Sequence, residues 1–273
     1  MIIFSERING MYRDIRKAIN ERDKAAVLEQ TRLQVAGGAD VIDINLGPTK
    51  GDPADNFVWL AEVVREVPEA KGKPLSLDSA KPDVFLAAVP KVRAAVGDTK
   101  LIINSSTADP DCMAKLIPLA AEHSCGLVGL TMDKDGVPGN VEKRVECGAM
   151  VLMTAMEAGL APSDIYIDPI ILPVNVAPKQ PVNVMEAIRQ LSVVSDPPPH
   201  FIIGLSNVSQ NCLMTHLLNR TYLVMCIAAG LDAAIMDAAD KDLVEAAVSD
   251  EVLLEKHLYS DDYLKAWRIQ KGL

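Results

Sequence analysis

Residues 100–132 read KLIINSSTADPDCMAKLIPLAAEHSCGLVGLTM: two short apolar runs, KLIINSS (100–106) and GLVGLTM (126–132), separated by a helical stretch. Nearly continuous apolar runs of this length suit strands buried on both faces, as in a parallel sheet. The same unit recurs along the chain. Further runs are MIIFSE (1–6), DVIDIN (40–45), KPLSLDS (73–79), IYIDPI (165–170), FIIGLSN (201–207) and DAAIMD (232–237), which brings the number to eight. The segments between them have helix signals. After Asp23, a capping-type residue, KAAVLEQTRLQVA runs up to Gly37 and Gly38. Leu243, Val244, Ala247, Val248 and Val252 recur at helical spacing near the C-terminus.

Eight βα units in 273 residues predict an α/β fold of the (β/α)8 TIM barrel type. The runner-up is a doubly wound open sheet, but no G-x-G-x-x-G turn follows any strand. No linker, low-complexity tract or composition shift divides the chain, so residues 1–273 are expected to form a single domain. One connection differs from the others. PIILPVNVAPKQPVN (169–183) holds four prolines and no clean helical period, which suits an active-site wall better than a plain connector.

With 49% hydrophobic and 23% charged residues and a mean hydropathy of +0.15, the composition is that of a soluble globular protein. The net charge of −10 and the absence of a Lys/Arg cluster argue against nucleic acid as a partner. Five cysteines (Cys112, Cys125, Cys147, Cys212 and Cys226) are odd in number and contain no C-x-x-C pair, as expected of reduced thiols. MIIFSERING meets charge at Glu6, so no signal-peptide core is present, and no apolar run reaches a membrane span. A cytoplasmic protein with no membrane association is expected.

In such barrels the active site lies at the C-terminal ends of the strands. Those ends carry Glu6, Asp43 with Asn45, Asp78, Asn104, Thr131, Asp168, Ser206 with Asn207, and Asp237. Any one of them is accounted for as a helix cap. Caps alone do not place a polar residue at all eight ends, nor inside the strand pattern as Asp43, Asp78 and Asp168 lie. Few basic residues stand near, beyond Arg7 and Lys50, and the histidines (His123, His200, His216 and His257) fall before strands or in helices, away from the mouth. Buried carboxylates need hydrogen-bond donors or a metal. A mixed Asp and Asn set suits a flat heterocycle with several N–H donors and ring acceptors.

ERING (6–10), DINLGP (43–48), LDS (77–79), INSS (103–106), GLTM (129–132), YIDPIILP (166–173) and GLSNVSQN (204–211) together closely resemble the pterin-binding methyltransferases. Within them the pattern is similar to the methyltetrahydrofolate:corrinoid protein methyltransferases of anaerobic bacteria, over nearly the whole chain. The resemblance implies a dihydropteroate-synthase-like barrel, a homodimer, and a pterin lying across the mouth. It implies that Asp78, Asn104 and Asp168 hydrogen-bond the pterin, that Gly204 and Ser206 line its pocket, and that Asn207 sits near N5 as the catalytic residue. Gln210 and Asn211 would face the corrin ring. The substrates implied are tetrahydrofolate or 5-methyltetrahydrofolate and a cobalamin (corrinoid) supplied by a partner protein, because the chain has no D-x-H-x-x-G carrier motif. No protein-bound metal is expected. Two other readings stay open at this stage. Asp43, Asp78 and Asp168 could serve as magnesium ligands of a barrel lyase or aldolase, or the chain could bind folate without catalysis. A true dihydropteroate synthase is disfavoured, since its seventh strand ends in a serine–arginine-type motif where this chain reads SNVSQN.

Overall fold

The computed structural model describes residues 1–256 together with Leu264, Trp267 and Arg268. Eight parallel strands close into a barrel in chain order, β1 (Ile2–Asn9), β2 (Val41–Asn45), β3 (Leu75–Asp78), β4 (Leu101–Thr107), β5 (Gly126–Leu130), β6 (Ile165–Asp168), β7 (His200–Gly204) and β8 (Ala233–Met236). Every apolar run picked out in the sequence is one of them. The helices outside are α1 (Arg13–Glu21), α2 (Lys24–Ala36), α3 (Pro53–Arg65), α4 (Pro82–Val96), α5 (Pro110–Glu122), α6 (Val141–Glu157), α7 (Gln180–Leu191), α8 (Thr215–Ala228) and α9 (Lys241–Leu253). No helix among the described residues is long and apolar enough to cross a membrane.

Local chemistry sets the helix ends. The Asp23 carboxylate accepts the Ala25 N–H at the start of α2, and the helix gives way at Gly37 and Gly38, the latter with φ +102°. Proline opens α3, α4 and α5, where its missing N–H costs nothing. The stretch 169–183 is not all loop, because α7 begins at Gln180 with Pro181 in its first turn.

The apolar core has two parts. The larger lies between sheet and helices and includes Ile42, Ile44, Leu75, Leu77, Ile103, Leu127, Ile167, Ile203 and Ala234. The smaller fills the barrel itself, with Phe4, Val41, Ile102, Val128, Tyr166, Ile202 and Ala233. Phe4 meets Tyr166 edge-on at 5.2 Å, and Tyr166 stacks on His200 at 4.9 Å, which closes the end of the barrel opposite the mouth. This division follows from the alternation of side chains along each strand.

Two bulges break that alternation. Glu6 and Arg7 together oppose one residue of β2, and Ser105 is an extra residue against β5. The first explains why β1 runs three residues past Glu6, to Asn9, beyond the end its apolar pattern suggests.

The ERING and DINLGP segments are pressed together. The Gly10 N–H donates to the Asn45 carbonyl at 2.8 Å, and a Cβ on Gly10 would stand 1.8 Å from the Leu46 carbonyl oxygen. Gly47 returns the contact with φ +56°. Gly10→Ala is therefore expected to lower stability by about 3 kcal/mol by forcing the two loops apart, as read from urea unfolding.

Candidate active site

Alternation decides which polar side chains enter the mouth. Val41 belongs to the inner core while Ile42 and Ile44 belong to the outer one, so Asp43 and Asn45 point inward. Leu75 and Leu77 face out, leaving Ser76 and Asp78 inside; Ile102 and Tyr166 face in, and so do Asn104 and Asp168 two residues later. Parallel pairing then aligns them. Asn45, Asp78 and Asn104 are direct neighbours across β2, β3 and β4, and Asp168 pairs with Leu130 of β5.

The side chains form a connected set above the inner core. The Asn45 amide donates to Asp78 at 2.6 Å. Asp43 accepts from the Ser76 hydroxyl at 2.5 Å and from the Asn104 amide at 3.2 Å, both at Oδ1. Asp168 accepts the N–H of Ile170 at 2.7 Å, a bond made possible by the left-handed turn at Ile170 (φ 58°). Across the mouth, Glu6 accepts from Ser206 at 2.8 and 3.1 Å and from the Tyr12 phenol at 3.1 Å, with the Arg7 guanidinium stacked on the Tyr12 ring.

Burial dominates the electrostatics. It pushes the Asp168 carboxyl up to about 7, against the opposing Ile170 N–H and Arg144, with nearby Asp78 adding to the rise. Burial likewise brings Asp78 to about 6, opposed by the Asn45 amide. Asp43 is raised well above the usual carboxylate range by burial and by Asp78, and Glu6 is raised mainly by burial.

The expected residues divide into three groups. Asp78, Asn104 and Asp168 come together inside the barrel. Gly204 ends β7 at the same level, and a Cβ there would stand 2.8 Å from the Asn207 amide nitrogen. Gly204 is an inward position, so the Asn207 amide takes the place of the missing side chain. The 3-10 turn Leu205–Ser209 carries it there, while Ser206 turns to Glu6. Gln210 and Asn211 are exposed on the rim; Asn211 has φ 58°, and its carbonyl accepts from Asn175 at 3.3 Å.

Two of the strand-end residues open to the cap reading stand apart from this set, and the expectation that all the histidines lie away from the mouth needs correction. Thr131 does not enter the mouth; it turns outward, where its methyl group packs close to Gly148 of α6. The loop residue Asp237 accepts from Gln34 of α2 at 2.5 Å and caps its own turn. His216 lies in the first turn of α8, which starts on the mouth side, and its exposed ring meets Asp240 at 3.3 Å. His257 lies outside the described residues. Among those residues, no group of three or more His, Cys, Asp or Glu is placed to hold a metal ion.

The sequence reading also missed Arg144. Its guanidinium is fully buried and donates to the Ile170 carbonyl at 2.7 Å, the Pro138 carbonyl at 3.0 Å and the Gln180 side-chain oxygen. A signal was present: Arg144 shares the helical face of Cys147, Gly148, Val151, Leu152 and Ala155, where a charge is out of place.

Residues 13–237 match the pterin binding enzyme family. The chain belongs to this family. A methylcorrinoid:tetrahydrofolate methyltransferase of Eubacterium limosum is 30% identical over 273 residues, 98% of this chain and 96% of that protein. A methionine synthase of Mycobacterium tuberculosis is 25% identical over 247 residues, 88% of this chain but 20% of that much longer protein. Among solved structures, a dihydropteroate synthase from Thermus thermophilus in complex with 6HMPPP superposes with TM-score 0.59 at 19% identity, covering 83% of this chain and 87% of that one. The Yersinia pestis dihydropteroate synthase gives 0.62 at 15% identity, covering 94% of each chain. These pterin-binding enzymes share the barrel.

Between the ordinary carboxylate value and their raised values of about 6 and about 7, Asp78 and Asp168 hold protons in the folded state that they release in the unfolded chain. Their contribution to stability is full below the ordinary carboxylate value and lost as pH rises through about 6 and about 7. Asp168→Asn is expected to stabilise the ligand-free protein by ~1–3 kcal/mol at pH 8. The gain should shrink as pH falls below about 7 and vanish only near the ordinary carboxylate value, as read from urea unfolding at pH 8 and at about pH 4.

Proposed function

We propose that this protein moves a methyl group between N5 of tetrahydrofolate and the cobalt of a corrinoid carried by a partner protein. The observation that carries the reading is the convergence of Asp78, Asn104 and Asp168 inside the mouth with an uncharged amide, Asn207, folded over Gly204 beside them. The near full-length likeness to a methylcorrinoid:tetrahydrofolate methyltransferase supports the same chemistry.

In this reading Asp168 accepts N–H bonds from the aminopyrimidine edge of the pterin, and Asp78 and Asn104 hold the ring from β3 and β4. Asn104 already spends one N–H on Asp43, so its carbonyl oxygen and second N–H serve the ligand. When the methyl carbon leaves N5 for cobalt(I), the C–N electron pair stays on nitrogen and a proton completes the amine. An Asn207 N–H aimed at N5 strengthens its bond as that charge develops, which stabilises the transition state more than the bound substrate. A neutral amide also avoids a fixed negative charge beside the electron-rich nucleophile. Microscopic reversibility assigns the same groups to transfer from methylcorrinoid to tetrahydrofolate. Gly204 gives the amide room, Ser206 ties its turn to Glu6, and Gln210 and Asn211 face the corrin from the rim.

Residues 1–273 act as one catalytic domain, in the cytoplasm, as a homodimer. The outer face of α8 supports the dimer. Leu217, Thr221, Met225 and Ala228 lie exposed in a line with no charge among them, where a solvated barrel helix is polar.

Asn207→Ala is expected to slow single-turnover methyl transfer to free cob(I)alamin by ~10²–10⁴-fold while leaving folate affinity nearly unchanged. Gly204→Ala should behave alike, because its methyl displaces the amide. Asp168→Asn should instead weaken folate binding by roughly 10–100-fold. If all three variants altered affinity alone, the division of roles would be wrong. Met225→Glu should convert a dimer into a monomer in sedimentation velocity.

A further inference from the structure

Arg144 is the only Arg or Lys side chain fully buried among the described residues, and the chemistry above makes no direct use of it. A cation near the N-terminal end of a helix is disfavoured by the helix dipole, and burial adds a desolvation cost. Its surroundings show what offsets both. One face of the guanidinium fork holds the Ile170 carbonyl, and the other holds the Pro138 carbonyl with the Gln180 amide oxygen. The Gln180 amide nitrogen itself reaches Pro138 at 3.4 Å. One side chain thus joins the β5–α6 loop, the β6–α7 loop and the start of α7.

The Ile170 residue is the link to the site. Its carbonyl is held by Arg144 and its N–H donates to the Asp168 carboxylate. With φ at 58°, a β-branched residue holds this turn only under constraint from outside. We propose that Arg144 is a positioning residue for the pterin contact, which acts through Ile170 to fix the orientation of the Asp168 carboxylate. This rests on the assignment of Asp168 to the pterin. The planar fork suits the role, since its two terminal nitrogens reach carbonyls on separate loops that an ammonium would have to meet from one atom.

The charged and titratable groups that bear on Asp168 are Arg144 of α6, Asp78 of β3 and the Tyr222 phenol of α8; its β5 neighbour, Leu130, is apolar. Removing Arg144 leaves Asp168 without its buried cation, so Asp168 should hold its proton to higher pH.

The test is tetrahydrofolate binding from pH 5.5 to 8.5 under anaerobic conditions, together with single-turnover transfer to cob(I)alamin at saturating 5-methyltetrahydrofolate. Arg144→Gln should weaken binding roughly tenfold at pH 7.5 and move the pH midpoint of binding upward by about one unit. The saturated transfer rate should change much less, because Asn207 is untouched. Arg144→Lys should keep the midpoint but still bind less tightly. A role confined to folding would lower the melting temperature alone; wild-type affinity and midpoint in a folded Arg144→Gln overturn the proposal. If Arg144→Gln does not fold, Arg144→Lys decides, and wild-type affinity there overturns it. Failure of both to fold does so too. Asp168→Asn separates the two levels of inference. If it binds tetrahydrofolate as the wild type does, the pterin contact is misassigned; if it weakens binding and the Arg144 variants do not, only the positioning role fails.

Discussion

The cost of removing carboxylates from water governs this structure. Glu6, Asp43, Asp78 and Asp168 crowd the mouth, and burial raises all four above the usual range. Hydrogen bonds from Ser76, Asn104, Asn45, Ser206, Tyr12 and the Ile170 amide meet part of the demand. Arg144 supplies the buried positive charge. What remains is a site rich in acceptors whose burial is not fully met within the protein. Such stored cost is the usual companion of a binding site.

The barrel makes this arrangement possible by geometry alone. Parallel strands in register place residues from distant parts of the chain at one height, and alternation points them at one axis. Asn45, Asp78 and Asn104 become neighbours without any loop having to position them. Beneath them the aromatic and aliphatic inner core shuts the barrel, so the polar layer has solvent on one side only. Rigid strands hold the ring contacts proposed here, whereas the amide assigned to N5 comes from a short turn. That division suits a reaction in which one set of contacts is constant and another grows as charge develops.

Structures of dihydropteroate synthases share the barrel at 15–19% identity, so the fold persists at low sequence identity. The end of β7 has a character of its own. Gly204 removes a side chain from the inward position, and the Leu205–Ser209 turn fills it with the amide of Asn207. A serine–arginine-type end would bring a cation to that place; an amide brings a neutral donor.

Local patterns in the chain were enough to read the eight strands, the barrel, the family and most of the polar layer. Those patterns are apolar runs, caps, and a polar residue at each strand end. They did not determine which way each polar tip points. Thr131 is a polar residue at a strand end as Asp168 is, yet it turns toward α6. The bulge at Glu6 and Arg7 hid the last residues of β1, because an extra residue erases the alternation by which strands are read. Only the folded chain shows the partners of Arg144, since Pro138, Ile170 and Gln180 lie on three separate segments. It alone showed that Gly204 and Asn207 share one space. Such contacts depend on how elements far apart in the chain are set against each other, and no local period records that.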